Sequence, residues 1–230
     1  MCGRFTLRAS PESVADEFGL DLPPELEARY NIAPGQPVAV IRAEGSRRVC
    51  ALHSWGLIPA WAKDPSIGNR LINARAETIA EKPAFRGAFR ARRCLIPADG
   101  FYEWSGTEPP KQPVHVARTD GALFALAGLW ESWISPDGEE IRSCTIVTTV
   151  ANAVVRPIHQ RMPVIVDPQA YAPWLETEGG DLQAMRALLA PCPETWLSAW
   201  TVGIMVNDVR NDGPECVLPA APAPTQGSLL

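Results

Sequence analysis

The sequence predicts a single α+β domain with a curved, largely antiparallel β core flanked by helices. A length of 230 residues fits one substantial domain. Runs with strand character outnumber helical runs and do not alternate with them one for one, which disfavours a doubly wound parallel sheet. We expect the domain to span residues 1–218, and the proline- and alanine-rich residues 219–230 to form a disordered tail.

The first predicted helix has start and stop signals at both ends. Ser10 is a typical N-cap residue and Pro11 a typical first-turn residue, while Gly19 follows the last turn. Between them, Val14 and Phe18 lie four residues apart and would share one apolar face. This stretch therefore predicts a short amphipathic helix.

Two further helices are predicted later in the chain. One begins within residues 74–81 and is interrupted by Pro83, after which Phe85 and Phe89 form an apolar stripe with arginines opposite. The other covers residues 181–189, where apolar side chains recur on one face.

Eight strands are predicted from runs of apolar and β-branched residues. In the second run, every other residue from Val49 to Trp55 would share one face, as expected of a half-buried strand. Twenty-three prolines and 17 glycines separate such runs. The predicted strands are residues 38–41, 49–55, 94–97, 114–117, 123–133, 141–150, 163–166 and 202–206.

Composition excludes several classes of protein. No apolar run approaches the roughly 20 residues of a membrane-spanning helix, and the first ten residues lack the apolar stretch of a secretion signal. Six cysteines without a CxxC spacing and three distant histidines exclude a zinc ribbon or finger. There is no GxGxxG or Walker motif. We therefore expect a cytoplasmic protein without a metal or other cofactor.

One segment departs from the acidic character of the chain. The net charge is -5, yet residues 70–93 contain seven basic and two acidic residues. A basic face on an acidic protein can attract a polyanion. Salt bridges along a solvated helix face would explain the same segment equally well.

Cys2 is the most informative position. Removal of Met1 would leave a cysteine whose α-amine and thiol stand on adjacent carbons. An α-amine has a reference pKa of ~7.7–8.0, so about a tenth of it is neutral and nucleophilic at pH 7. Such an aminothiol can condense with an aldehyde to an imine and then close a thiazolidine ring. It could also serve as an N-terminal nucleophile in peptide hydrolysis.

Five segments carry titratable or amide side chains next to predicted strand ends or tight turns. Asn73, Glu103 and His159 supply an amide, a carboxylate and an imidazole, which suffice for orienting and proton-transfer work. Taken one at a time, each of them could equally be structural. The segments are MCGRF (1–5), RYNIAPGQ (29–36), INARAET (72–78), CLIPADGFYEW (94–104) and IHQRMPVIV (158–166).

These five motifs in this order, followed by NDVRNDGPECVLP at 207–219, resemble the SOS-response-associated peptidase (SRAP) family of abasic-site-processing proteins. The resemblance implies a curved α+β domain with a positively charged groove that binds single-stranded DNA containing abasic sites. It implies DNA repair by covalent capture of the lesion, with lyase and (auto)peptidase activities in addition. It also implies a monomer that contacts the replication machinery and associates with the nucleoid when bound to DNA.

The resemblance further implies a role for individual residues. The implied catalytic residues are Cys2 as nucleophile, Asn73 as orienting group, and Glu103 and His159 as acid/base groups. The implied DNA-binding residues, which hold the backbone or stack on bases, are Arg4, Asn31, Trp61, Arg75 and Arg161. His115 has no counterpart in these motifs, and we expect it on an edge strand.

The proposed chemistry suits these side chains. An abasic deoxyribose is mostly a closed hemiacetal, and only its open form presents an aldehyde. Glu103 could take the proton of the ring hydroxyl, while His159 or the same carboxylate protonates the departing ring oxygen. The Cys2 amine would then form the imine. Because an imine acidifies the neighbouring sugar carbon, β-elimination of the 3′ phosphate is a natural side reaction, which closure of the thiazolidine would suppress.

Two other functions stay open from the sequence. A thiol peptidase would use Cys2 and His159 as a dyad and would cleave peptides in trans. A non-catalytic single-strand-binding module would use the arginines of residues 70–93 and Trp61 alone, and would form no covalent adduct.

Overall fold

The computed structural model describes residues 2–106, 109–176 and 182–220. Its strands are β1 (Arg4–Leu7), β2 (Arg29–Ile32), β3 (Pro37–Glu44), β4 (Arg47–Trp55), β5 (Asn73–Arg75), β6 (Arg93–Ala98), β7 (Gly100–Ser105), β8 (Gln112–Arg118), β9 (Phe124–Ile134), β10 (Glu140–Val150), β11 (Arg161–Pro163), β12 (Ile165–Val166) and β13 (Leu197–Thr201). Its α-helices are α1 (Pro11–Phe18), α2 (Arg86–Ala91), α3 (Tyr171–Leu175) and α4 (Leu182–Ala187). None of these helices is long and apolar enough to cross a membrane.

Five strands of the larger sheet close into a small barrel. The antiparallel order runs from β4 through β3, β6 and β9 to β10, and β10 returns to β4 through a short parallel pairing. Three short strands extend this sheet, because β5 and β11 pair with β10 while β12 pairs with β9. The predicted α+β fold with a curved, largely antiparallel β core is thereby confirmed.

The smaller sheet is antiparallel throughout and lies against the barrel. Its order is β13-β8-β7-β1-β2, and the chain passes into it directly from barrel strand β6 through Asp99. Phe5 on β1 packs edge-on against Trp55 on β4, with ring centroids 5.3 Å apart. Buried side chains of both sheets, including Phe101 and Ile96, belong to one continuous core. The seam between the two sheets is therefore part of a packed core, and it is where the candidate site lies.

Helix α1 forms as its sequence signals predict. The Ser10 side chain accepts a hydrogen bond from the Ser13 backbone N–H, and Gly19 ends the helix in the left-handed conformation at φ 63°. Val14 and Phe18 are fully buried. The apolar face thus fixes the helix on the core.

The prediction of a helix that begins within residues 74–81 is wrong. That segment opens as β5, whose Ala74 pairs with Val147 in the parallel ladder on β10. Turns follow, and Ile79 points into the core. Pairing with a buried strand overrides the helix propensity of these residues. Helix α2 starts only beyond Pro83, where both Phe85 and Phe89 are buried as expected.

The prediction of a strand over residues 202–206 is also wrong. The observed strand, β13, lies immediately before this segment. Its pairing with β8 ends next to Pro113, because proline has no N–H with which to continue the ladder of hydrogen bonds. Val202 makes a single bridge to Pro219, and Ile204–Asn207 forms a 3-10 turn. The other seven predicted strands are present, with residues 163–166 divided between β11 and β12.

Two predictions reach the limits of the described residues. The helix predicted over residues 181–189 corresponds to α4, and residue 181 lies outside the described part of the chain. In the tail predicted over residues 219–230, Pro219 bridges Val202 and the Ala220 N–H donates to the Thr201 carbonyl at 2.9 Å. Residues 221–230 lie outside the described part of the chain.

The placement of His115 on an edge strand is wrong. Strand β8 is an inner strand between β7 and β13, and His115 is fully buried between the rings of Tyr102 and Trp200. A Cβ atom on Gly100 would come within 2.3 Å of this imidazole, so the position requires glycine. Burial lowers the pKa of His115 to about 4, which keeps the ring neutral at physiological pH.

Candidate functional site

The predicted catalytic residues come from four separate elements. Cys2 directly precedes β1, Asn73 opens β5, and Glu103 lies in the middle of β7. His159 stands two residues before β11. The pairing of β1 with β7 brings Cys2 close to Glu103, and a hydrogen bond from the Asn73 side chain to the Cys2 carbonyl joins the larger sheet to them at the seam between the sheets.

Cys2 is fully buried at this seam. Its thiol points to the Arg4 carbonyl, with 3.9 Å between Sγ and O. Burial raises the pKa of the Cys2 thiol, and the negative charge of Glu103 raises it further. The sulfur is therefore a protonated thiol at neutral pH, with a carboxyl group close by.

Asn73 fixes the backbone of the first residues. Its Nδ2 donates to the Cys2 carbonyl at 2.8 Å, a contact between residues 71 positions apart in the chain. Its Oδ1 is buried and accepts no hydrogen bond from any residue that the structure describes. Because a buried polar oxygen without a donor is costly, this atom is suited to receive an N–H from a group that enters the site.

Glu103 is a buried carboxyl group, only 3% exposed. Burial raises the pKa of Glu103 to about 7. A carboxyl group with this pKa is present in both protonation states near neutral pH, so it can accept a proton in one step and return it in another.

His159 is held by the chain that leads into β11. His159 Nδ1 lies 3.0 Å from the Arg161 backbone nitrogen and 3.2 Å from the Arg161 carbonyl oxygen, so the backbone of Arg161 holds the ring in place. Partial burial lowers the pKa of His159, which favours the neutral form of the ring.

Arg4 and Asn31 anchor a loop. Asn31 is fully buried, and its Nδ2 donates to the carbonyls of Val206, Asp208 and Asn211 at 2.7–3.1 Å. Arg4 Nη1 donates to Asn31 Oδ1 at 2.8 Å and to the Val206 carbonyl at 2.7 Å. The structure thus places Asn31 inside the protein, where it could affect DNA only through the position of this loop.

Trp104 is a residue that the sequence reasoning missed. It follows Glu103 on β7, its Nε1 donates to Asn207 Oδ1 at 2.6 Å, and the Arg4 guanidinium lies 5.6 Å from its ring centre. Its ring is only partly buried. The signal was available, since Trp104 belongs to the same FYEW segment as Glu103.

A basic cleft opens beside Asn73. It measures about 620 Å³, and the exposed Trp61 forms one wall while Pro83 and Phe85 contribute apolar surface. Trp61 is 60% exposed, which leaves a face of its ring accessible for stacking. The basic residues that line the cleft are Arg70, Arg75 and Lys82.

The arginines of residues 70–93 divide between surface and interior. Arg93 is buried and donates to the Phe89 carbonyl at 2.7 Å, so it holds the end of α2. Arg92 pairs with Glu131 at 2.6 Å. The carboxyl-terminal arginines of the segment therefore stabilise the fold, whereas Arg70 and Arg75 line the cleft. Attraction of a polyanion by this segment stays a prediction.

Known proteins resemble this chain over almost its whole length. A family model described as SOS response associated peptidase (SRAP) matches residues 1–209. Abasic site processing protein YoqW of Bacillus subtilis is 42% identical over 221 residues, which cover 94% of this chain and 99% of that protein. Abasic site processing protein YedK of Escherichia coli is 31% identical over 226 residues, which cover 95% and 100%. A crystal structure of a Bacteroides thetaiotaomicron protein has a TM-score of 0.85 at 26% identity, over 96% of this chain and 100% of that one.

Proposed function

The chain belongs to the SOS response associated peptidase (SRAP) family, and we propose that it captures abasic sites in single-stranded DNA as a covalent adduct on the mature N-terminal Cys2. Its relatives are named as abasic site processing proteins, which supports abasic DNA as the substrate. The observation that carries the proposal is the meeting of Cys2, the Asn73 amide and a carboxyl group of pKa about 7 at one buried seam.

The reaction begins with opening of the sugar. Glu103 in its carboxylate form takes the proton of the anomeric hydroxyl as the ring carbon–oxygen bond breaks, and either His159 in its imidazolium form or the newly protonated Glu103 protonates the departing oxygen. The product is the aldehyde. A group poised near neutral pH suits both proton movements, as the pKa of Glu103 allows.

Capture then follows in two bond-forming steps. The Cys2 amine attacks the aldehyde carbon, and loss of one water gives the imine. The Cys2 sulfur adds to the imine carbon while its proton passes to the nitrogen, which closes the thiazolidine. The raised pKa of the thiol supports this order, because a protonated thiol is a poor first nucleophile whereas an amine of ordinary pKa is not.

The Asn73 amide is proposed to orient the attacking group. Its Nδ2 holds the Cys2 carbonyl, which restricts rotation of the residue that bears the amine. Its buried Oδ1 could accept an N–H of that amine and direct the nitrogen lone pair towards the aldehyde. The residue would thus act on geometry rather than on protons.

The DNA strand is proposed to approach along the basic cleft. The guanidinium of Arg75 and that of Arg161, which lies on the other side of β10, suit phosphate oxygens, and the Trp61 ring suits an unstacked base. Arg4 and Asn31 would contribute through the loop that they anchor next to Trp104.

Replacing Arg75 or Arg161 with alanine should weaken binding to any single strand regardless of its sequence. Each lost phosphate contact should reduce the slope of log affinity against log salt by about 0.7. Fluorescence anisotropy with unmodified oligonucleotides of two different sequences, measured over a range of salt concentrations, tests this. An unchanged slope for both variants would contradict a phosphate-binding role.

The proposed function is tested by intact-mass analysis after mixing the protein with an abasic oligonucleotide. The expected product has the summed mass of mature protein and DNA less one water. An undamaged oligonucleotide should give no product, and neither should a protein whose Cys2 nitrogen is blocked by a retained N-terminal tag. An equal yield from the blocked protein would contradict the amine as nucleophile.

Peptidase activity is a second candidate, which the description of the family favours. It requires a thiolate, and burial beside Glu103 disfavours one at Cys2. Cleavage of a peptide in trans by the mature protein would support it, whereas removal of Met1 alone would fit either function. The lyase side reaction, the monomeric state, the nucleoid association and the contact with the replication machinery stay predictions.

A further inference from the structure

The guanidinium of Arg161 is already occupied by a carboxylate. Its Nη1 donates to Glu77 Oε1 at 2.5 Å and its Nη2 donates to Glu77 Oε2 at 3.0 Å. This two-point arrangement uses the donors and the geometry with which an arginine binds a phosphodiester. A carboxylate therefore stands where a DNA phosphate would bind.

The Glu77 carboxylate can move away from the ion pair while the Arg161 guanidinium keeps its position. The Arg161 side chain is 16% exposed and the Glu77 side chain is 48% exposed, so the carboxylate lies on the solvent side. Arg161 Nη2 also donates to the Thr148 carbonyl at 2.6 Å and to Thr148 Oγ1 at 3.3 Å. These contacts with β10 would keep the guanidinium in place without Glu77.

Glu77 belongs to the segment that carries the rest of the proposed site. It lies two residues after Arg75 and four after Asn73, in the turn that follows β5. The Ala76 N–H donates to the Thr148 carbonyl at 2.9 Å, which fixes the backbone next to Glu77. A rotation of the Glu77 side chain alone would then free Arg161.

We propose that Glu77 acts as an internal substitute for a DNA phosphate, which occupies Arg161 in the free protein and is displaced when a phosphodiester binds. This inference rests on the proposed function and assigns a specificity role within it. Binding at Arg161 exchanges one anion for another, so a single phosphate gains little binding free energy there. A DNA strand that also contacts Arg75 gains further binding free energy from those contacts, and this allows it to displace the carboxylate. Short nucleotides and free phosphate do not.

The test is the affinity of a Glu77→Gln variant for an undamaged, 5′-labelled single strand, measured by fluorescence anisotropy at low salt. We expect binding about two- to fivefold tighter than that of the unmodified protein, the range of an exposed ion pair. Glu81→Gln is the matched control, because Glu81 is an exposed acid of the same segment outside the Arg161 contact. Glu77→Ala, which removes the carboxylate by truncation, should give the same direction.

The double variant Glu77→Gln/Arg161→Ala separates the contact from the general effect of charge. In the absence of Arg161, Glu77→Gln should tighten binding no more than Glu81→Gln does. Weaker binding by Glu77→Gln, or tightening equal to that of Glu81→Gln in the presence of Arg161, would overturn the proposal. Because the probe is undamaged DNA, which forms no adduct, that result would not contradict the proposed covalent capture of abasic sites. Failure of the unmodified protein to bind any single strand would instead overturn the proposed function and this inference with it.

Discussion

Replacing Cys2 with alanine should abolish the stable adduct with abasic single-stranded DNA and leave reversible DNA binding in place. Alanine at position 2 is small enough to allow removal of Met1, so the α-amine is retained while the sulfur is lost. The imine could then form, but nothing would close the ring on it. Adduct that survives heat and mild acid, measured by intact mass and denaturing electrophoresis, should fall to background.

Cys2→Ser is the matched control for this variant. It keeps an amine and a nucleophilic atom in the same place, although an oxygen ring opens more readily than a sulfur ring. We expect a short-lived imine with both variants, visible after reduction, and more strand cleavage than with the unmodified protein, because the imine now persists long enough for β-elimination. A stable adduct from Cys2→Ala at the normal yield would contradict the thiazolidine mechanism.

The sequence predicted the strands of the barrel because those strands are long and apolar. Runs such as β9 and β10, each 11 residues long, cross the core and carry a pattern that a sequence can show. The strands that build the site are different. β1 and β2 have four residues each and β5 has three, and these include polar side chains such as Arg4 and Asn73. Such segments become strands only because neighbouring strands offer them hydrogen bonds.

The motifs supplied the candidate residues, but not the contacts that each of them makes. Asn31 belongs to a family motif, yet it is buried and holds the loop that contains Asp208 and Asn211 through three carbonyls. Arg161 belongs to another motif, yet in the free protein its guanidinium is paired with Glu77. Both contacts join residues more than 80 positions apart, and local sequence carries no information on such pairings.

The seam between the sheets gives Glu103 the property that its proposed role requires. A carboxyl group on an exposed strand would keep an ordinary pKa and would be ionised throughout the neutral range. On β7, Glu103 is buried between strands of the folded protein, and this removal from water raises the pKa of its carboxyl group to about 7. Burial alone therefore gives Glu103 the titration range that its proposed acid/base role requires.

Replacing Glu103 with glutamine should leave binding to single-stranded DNA intact and slow adduct formation by about 10²- to 10⁴-fold, the range of a lost general acid–base group. The amide has nearly the same shape but cannot move the proton that opens the sugar ring. Single-turnover crosslinking with saturating protein measures the rate, and anisotropy measures the binding separately. Glu131→Gln is the matched control, since Glu131 on β9 is also a buried carboxyl group, 6% exposed, but pairs with Arg92, which follows α2. Its adduct rate should be unchanged.

The pH dependence of the capture rate also tests the role of Glu103. In the unmodified protein the rate should rise as pH increases through about 7, where Glu103 becomes the base, and rise again towards pH 8 as the amine loses its proton. The first rise should be absent in Glu103→Gln. The free energy of unfolding should respond at lower pH than the rate. Because the folded pKa lies above the unfolded value of ~4.3, the contribution of this group is fully present below the unfolded pKa and is lost progressively until pH has risen through about 7. The glutamine variant should therefore be more stable than the unmodified protein at pH 8, and this difference should shrink as pH falls towards about 4.

Two outcomes for Glu103→Gln can be separated by measuring binding and rate together. Removal of a negative charge beside the DNA path could tighten binding, and tighter binding with slower capture would agree with the assigned role. Loss of binding with a normal rate once the protein is saturated would contradict it, because Glu103 would then hold DNA rather than move a proton. A rate that fell equally at every pH from 6 to 9 would also contradict the role, since it would show that the protonation state of this carboxyl group does not control the step that it is proposed to catalyse.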